Sequence, residues 1–222
     1  MNKNINKKGF TLLELLIVIA ILAVLGAIVI FMLNPAETLK KARDSQRISD
    51  LSTIKTALGI YITSKKSPQL DGVSGTANVL CIGGTGQDTI WYSVDTATED
   101  ITDEILDTTA SSSQVATAVE VGEVDGTGWI PVNLGGLAGG SPISNFPQDP
   151  TNDIDAQAAV TSSTLAYRYA CDNSPLGFEI NAALESEAYT VDDNLARKDG
   201  GNNTGLYEVG SILTILSGAS TF

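Results

Sequence analysis

Residues 7–33 read KKGFTLLELLIVIAILAVLGAIVIFML, and this apolar segment near the start of the chain is the strongest indication of its fold. Two lysines and a glycine precede residues 10–33, whose only charged side chain is Glu14. A helix rises 1.5 Å per residue, so this run would be about 36 Å long and would exceed the roughly 30 Å hydrocarbon core of a bilayer. The sequence therefore predicts a membrane-spanning helix from Phe10 to Leu33.

The charges on the two sides of this helix predict its orientation. Residues 1–9 carry three lysines and no acid, whereas residues 68–222 carry three basic residues and 22 acids, a net charge of -19. Because basic flanks stay on the cytoplasmic side, we expect a single-pass protein of the cytoplasmic membrane with its N-terminus inside and its acidic head outside. Such a head repels phosphates, so broad nucleic-acid binding is not expected.

A conventional secretory signal is the alternative interpretation of this segment. The apolar region of such a signal has about 7 to 15 residues, and small residues follow it at the cleavage site. The run found here is longer, and it ends with the bulky residues Phe31, Met32 and Leu33. These features argue against cleavage as a conventional secretory signal.

A second, amphipathic helix is predicted directly after the apolar run. Asn34 suits an N-cap, Pro35 the first helical position and Glu37 the first turn, so we expect a kink or short break here. Apolar residues recur at mostly three- and four-residue spacing, which predicts a helix to about Ser64 with one apolar face that packs under the head. The residues of this face are Ala36, Leu39, Ala42, Ile48, Leu51, Ile54, Leu58, Tyr61 and Ile62. The other face is either solvated or meets acidic surfaces of neighbouring copies; it carries Lys40, Lys41, Arg43, Asp44, Arg47, Asp50 and Lys55.

The head is predicted to contain a small antiparallel sheet. Alternating apolar residues indicate strands at 165–171 and 178–184, joined by a turn at 172–177, with further candidates at 90–94, 206–207 and 212–216. A helical turn is expected at 101–106. The prediction is an α+β fold with four parts, namely a basic leader at 1–9, an assembly helix at 10–33, an amphipathic helix at 34–66 and an acidic head at 67–222.

The segment at residues 7–15 resembles the cleavage and methylation signal of type IV pilins and of type II secretion pseudopilins. It reads Lys7-Lys8-Gly9-Phe10-Thr11-Leu12-Leu13-Glu14-Leu15. The resemblance implies cleavage after Gly9 and methylation at Phe10 by a membrane-embedded prepilin peptidase, then assembly with identical or related subunits into an extracellular helical fibre. Residues 145–150 with 167–169 are also similar to the Pro-x-Asp-Pro and Tyr segment of major pseudopilins. The sequence does not distinguish a subunit of a pilus from a subunit of a secretion pseudopilus.

Glu14 separates a fibre subunit from a simple anchor. A carboxylate at the centre of a bilayer costs about 2.5–3.5 kcal/mol on insertion scales. After cleavage, Glu14 of one subunit could neutralise the Phe10 amine of its neighbour in a dry fibre core, where Coulomb attraction is strong. A glutamate that merely snorkels to the interface is the alternative, and it would suit a monomeric, membrane-tethered binding module.

The remaining residue chemistry argues against an enzyme. Histidine is absent, which excludes Ser-His-Asp, Cys-His and His-zinc sites. Cys81 and Cys171 either form a disulfide in the exported head or stay as two buried thiols. The resemblance to calcium loops of pseudopilins is loose; candidate oxygen ligands are Asp192, Asp193, Asp199, Asn202 and Asn203, and an acidic solvated loop is the alternative.

Overall fold

The computed structural model describes residues 9–73, 75, 77–85, 89–94, 111–113, 120–152, 160–161 and 163–216. The chain divides into two compact units, Met1–Leu39 and Lys40–Phe222. Two helices come first, α1 at Leu12–Leu33 and α2 at Pro35–Ser64. The second unit combines most of α2 with a sheet, so the architecture is α+β and pilin-like, as the sequence predicts.

Helix α1 coincides with the predicted apolar run. Among the described residues, only the helical stretch that starts at Leu12 contains a window long and apolar enough to cross a membrane. The helix ends at Asn34, which adopts a left-handed conformation with φ of 37° and ψ of 74°. Asparagine tolerates this region better than most residues. The carbonyl of Asn34 accepts a hydrogen bond from the Thr38 amide at 3.2 Å, which begins α2 where the sequence places its break.

The buried face of α2 differs from the predicted one in its first half. Leu51, Ile54, Leu58 and Tyr61 are buried as expected, whereas Leu39 is 61 % exposed. Toward the N-terminus of α2, the same buried face is occupied by charged residues. Positions 44, 47, 51, 54, 58 and 61 follow one another at intervals of three and four residues, so they all lie on one side of the helix. Asp44, Arg47 and Asp50 were predicted to lie on the polar face, and the structure buries all three.

The head is built on one five-stranded sheet with the strand order β2-β1-β3-β4-β5. The strands are β1 at Thr89–Tyr92, β2 at Ser111–Ser113, β3 at Tyr167–Asn173, β4 at Leu176–Ala182 and β5 at Tyr207–Gly210. Strands β1, β3, β4 and β5 are antiparallel, and β2 runs parallel to β1. A π-helical turn at Ala188–Asp192 and a 3-10 turn at Leu195–Arg197 connect β4 to β5.

Both faces of the sheet are covered. Tyr167, Tyr169 and Ile180 pack with α2 residues in the larger core cluster, as the alternation of strands β3 and β4 predicts. A second cluster, which includes Tyr92, Ala170 and Leu216, covers the opposite face. The last strand ends at Gly210, so the predicted strand at 212–216 does not form. The predicted helical turn at 101–106 lies outside the described residues.

Candidate processing and assembly site

The predicted cleavage point is open to solvent. Gly9 and Phe10 are exposed, and the Phe10 side chain retains 85 % of its accessible surface. A Cβ atom built on Gly9 would meet no atom within 4 Å. Packing among the described residues therefore gives no reason for a glycine at position 9, whereas a peptidase that must approach the backbone closely would require one.

Glu14 forms a capping box with Thr11 at the start of α1. The Thr11 hydroxyl accepts a hydrogen bond from the Glu14 amide at 3.2 Å, and the Glu14 carboxylate accepts from the Thr11 amide at 2.9 Å. The Thr11 hydroxyl also donates to Glu14 Oε2 at 2.9 Å. This motif satisfies backbone amides that a helix start leaves without partners. The spacing Thr-x-x-Glu was visible in the sequence, but its local role was missed there.

The large apolar side chains that the structure describes in α1 are exposed. Exposure ranges from 48 % at Ile17 to 83 % at Leu12, and none of the most apolar window is buried. At about 25 cal/mol per Å² of apolar surface, a helix this exposed is strongly driven out of water. Its stable environment is a bilayer or the apolar surfaces of other helices.

Comparison with known families identifies this segment. A family model described as the prokaryotic N-terminal methylation motif matches residues 4–30. The chain carries the type IV pilin and pseudopilin signal. The match covers only the N-terminal segment; this signal supports a type IV pilin-like precursor and implies processing by a prepilin peptidase in general terms. The searches of curated proteins and of solved structures found no match to the chain.

Outside the pilin signal, a buried ion cluster joins α2 to two loops of the head. The Arg47 guanidinium donates to both Asp149 oxygens, at 2.7 and 2.9 Å, and to Asp44 and Glu185 at 2.8 Å each. Arg47, Asp44 and Asp149 side chains are fully buried. Asp149 belongs to the Pro-x-Asp-Pro segment, so that segment provides a carboxylate for the helix.

The ion cluster shifts the pKa values of Arg47 and Glu185. Burial lowers the pKa of Arg47, but the hydrogen bonds that it donates to Asp149 and Glu185 outweigh this effect and raise the pKa above its ordinary value. Hydrogen bonds from Arg43 and then Arg47 lower the pKa of Glu185 to about 2, against the effect of its burial. Arg47 and Glu185 are therefore both charged at neutral pH, and the hydrogen bonds of Arg47 hold α2 against the head.

A second polar contact links α2 to strand β3 of the sheet. Tyr167 on β3 donates its hydroxyl hydrogen to Asp50 Oδ2 at 2.9 Å, and Gln46 donates to Asp50 Oδ1 at 2.6 Å. Burial raises the pKa of Asp50, although both hydrogen bonds oppose the shift. The tyrosine singled out with the Pro-x-Asp-Pro segment thus contacts α2 one turn after Arg47.

The two cysteines form a disulfide in the structure. Cys81 and Cys171 are fully buried, and their Cα atoms are 4.8 Å apart. Beside the bridge, the Ile82 amide donates to the Cys171 carbonyl at 2.8 Å, and the Asn173 amide donates to the Ile82 carbonyl at 3.0 Å. The disulfide therefore fastens the loop that follows α2 to the end of β3.

Three of the five predicted calcium ligands make hydrogen bonds or an ion pair within the head. Asp199 accepts from the Gly201 amide at 2.9 Å and from the Glu208 amide at 2.8 Å, and Asn203 accepts from the Gly205 amide at 2.9 Å. Asp193 pairs with Lys198, while Asp192 and Asn202 are exposed. Among the residues that the structure describes, no group of three His, Cys, Asp or Glu side chains is arranged to hold a metal ion. Calcium binding stays a prediction, and it would have to replace these internal bonds.

Two buried glutamates near this loop were missed by sequence reasoning. Glu179 on β4 accepts from the Ile215 and Leu216 amides, and Glu208 on β5 accepts from the Asn203 amide. Their Oε1 atoms are buried and receive no hydrogen from any described donor. Burial and then a hydrogen bond to Glu179 raise the pKa of Glu208 to about 9. Glu208 therefore holds a proton at neutral pH.

Proposed function

We propose that the chain is the precursor of a structural subunit of a type IV pilus or pseudopilus fibre. In this proposal it is cleaved after Gly9, methylated at Phe10, and assembled through residues 10–33. The observation that carries the proposal is a pilin signal on a helix whose apolar side chains are exposed on all sides. In a fibre these side chains would be buried against the helices of identical or related subunits.

The same features support a location and an orientation. The leader lysines would hold the cleavage site at the cytoplasmic face of the membrane, where the peptidase acts on it. The acidic head would stand outside, ready to coat the fibre when α1 leaves the bilayer. The work of such a subunit is assembly, and we propose no catalytic role for it.

Glu14 would supply the specific contact of this assembly. Cleavage creates a cationic amine at Phe10, and an apolar fibre core gives that amine no water to solvate it. A carboxylate from the neighbouring subunit would neutralise the amine, and breaking such a buried pair typically costs about 3–5 kcal/mol. The cost of losing Glu14 would recur at every subunit of the fibre.

A monomeric membrane-tethered module is the second candidate, and the capping box favours it. Because Glu14 already bonds to Thr11, the helix start alone accounts for a carboxylate at this position. In a tethered module Glu14 would have no neighbour to neutralise. A fibre subunit would need the charge of Glu14, whereas a tethered module would need only its hydrogen bonds to Thr11.

Glu14→Gln separates these two roles, because glutamine preserves a capping box while it removes the charge. A fibre subunit with Glu14→Gln should insert normally and be processed at Gly9. Its amount in sheared surface filaments should fall at least tenfold relative to its amount in the membrane, since about 1.4 kcal/mol per contact already gives that factor. Quantitative immunoblots of both fractions would measure this ratio.

Thr11→Val is the matched control, since it removes the capping hydroxyl and keeps the carboxylate. We expect its filament yield to fall by no more than about fivefold, because a helix cap contributes about 1 kcal/mol. Normal filaments from processed Glu14→Gln, together with few from Thr11→Val, would refute the neighbour-pairing mechanism.

A further inference from the structure

An apolar groove runs along the second half of α2. One side is formed by the second half of α2 together with Lys65, which directly follows the helix, and the other by the glycine-rich loop at residues 136–143. Two cavities of about 310 and 380 Å³ make up the groove, and both are lined by Ile60 and Pro142. Since the two cavities share these residues, they form one continuous feature of the head.

The groove is more apolar than its sequence suggests. Thr53 and Thr56 donate their hydroxyl hydrogens to the α2 carbonyls of Ser49 and Ser52, at 2.9 Å each, so these hydroxyls are satisfied within the helix. Ile60 is 43 % exposed. Among the described residues from 40 to 216, the exposed large apolar side chains are those of Ile60 and Val191. Ile60 therefore leaves apolar surface open within the groove, and an apolar side chain of a partner would remove that surface from water.

The charge around the groove is opposite to that of the head. Residues 51–70 contain three lysines and no acid, and residues 134–146 contain no charged residue, although the head as a whole is strongly acidic. Lys65 lines the groove, where its Nζ donates to the Gly136 carbonyl at 2.6 Å. The groove therefore presents an apolar floor with a cationic end.

We propose that this groove binds the acidic segment at residues 95–107 of a second copy of the chain. The segment reads DTATEDITDEILD, with six acids and the apolar residues Ile101, Ile105 and Leu106. The apolar side chains would enter the groove beside Ile60, and the acids would face Lys65 and Lys66. This inference rests on the proposed fibre function, since copies meet repeatedly only in an assembly.

Cysteine crosslinking between co-expressed copies tests the inference in the full-length protein. One copy carries Ile60→Cys and the other carries Ile105→Cys, so a crosslink between these positions joins two chains. We expect disulfide-linked dimers in sheared filaments under mild oxidation. Lys55→Cys in place of Ile60→Cys is the control, because Lys55 is an exposed residue of the same helix that does not line the groove. It should give at least fivefold fewer dimers.

A second measurement uses assembly itself. Ile60→Asp should reduce filament yield at least fivefold, because a carboxylate in the groove repels the acidic segment, whereas Ser49→Asp on the same helix should stay within twofold of wild type. Normal filaments without Ile60–Ile105 dimers would overturn the groove inference and leave the fibre function standing. If a crosslink forms only when both substitutions are on the same chain, the groove binds residues 95–107 of its own chain, and the inference about a second copy is wrong. Absence of filaments from the wild-type chain would overturn both proposals.

Discussion

Arg47 offers a direct test of how the head is held to α2. In Arg47→Ala the guanidinium disappears, and with it the hydrogen bonds to Asp44, Asp149 and Glu185. Asp44 and Asp149 are fully buried, so their charges would be left in an interior without a cation. Removing one partner of a buried ion cluster typically destabilises a protein by about 3–5 kcal/mol.

The same cluster supplies a matched control. Arg43 also bonds to Glu185, through two hydrogen bonds of 2.6 Å, but its side chain is 37 % exposed. Water can replace its contacts, so Arg43→Ala should cost far less stability than Arg47→Ala. Arg47→Lys should fall between the two, because an ammonium keeps the charge but cannot bind Asp149 through two parallel hydrogen bonds.

Tryptophan fluorescence during thermal unfolding would measure these differences in the full-length protein in detergent. Trp91 and Trp129 are both buried in the head, so the signal follows the head and not α1. A loss of 3–5 kcal/mol corresponds to a fall in Tm of roughly 6–20 °C for a unit of this size. Equal Tm values for Arg47→Ala and Arg43→Ala would refute the reasoning that burial makes Arg47 the stronger contact.

Four further predictions follow from the remaining features. Intact-mass analysis of the membrane or filament protein should give a chain that starts at N-methyl-Phe10, and a terminus at Met1 or beyond Leu33 would contradict processing at Gly9. Alkylation before and after reduction should detect no free thiol in the native protein, and Cys81→Ser with Cys171→Ser should cost about 4 kcal/mol because the bridge closes a loop of 90 residues. Since the pKa of Glu185 is lowered to about 2, its contribution to stability is complete above about pH 4.5 and is lost as the pH falls toward 2; Glu185→Gln should therefore reduce this part of the acid destabilisation measured by Tm. If the loop at 192–203 binds calcium, millimolar calcium should raise the Tm of the wild-type protein and not that of Asp199→Asn, whereas equal Tm values with and without calcium would leave these residues as an acidic surface loop.

The features that local sequence determines were predicted well. The membrane-length helix follows from an uninterrupted apolar run, and the break at Asn34 follows from a cap residue beside a proline, both of which act within a few residues. Strands β3 and β4 were recognised because alternation along a strand directly encodes which side chains face the core. Their ends were misplaced by about two residues, since strand ends depend on the pairing partner and not on the strand alone.

The buried charges on α2 could be predicted only in part. Asp44 and Arg47 occupy the helical phase of Leu51 and Ile54, and that phase was a signal that both would face the core. Their charge made solvent exposure the simpler expectation, because an unpaired charge is not stable in an apolar interior. The partners that make burial possible come from residues 149 and 185, more than 100 positions further along the chain.

The sequence by itself determined that this protein has a pilin signal, an apolar helix suited to a membrane or a fibre core, and an acidic α+β head. Each of these properties depends on residue type and short-range spacing. Only the tertiary structure decided that Arg47 is neutralised inside the head, that Glu179 and Glu208 meet across β4 and β5, and that Ile60 lies in an open groove. The physical reason is that burial is a property of assembled surfaces, and the segments that form those surfaces are brought together by the fold.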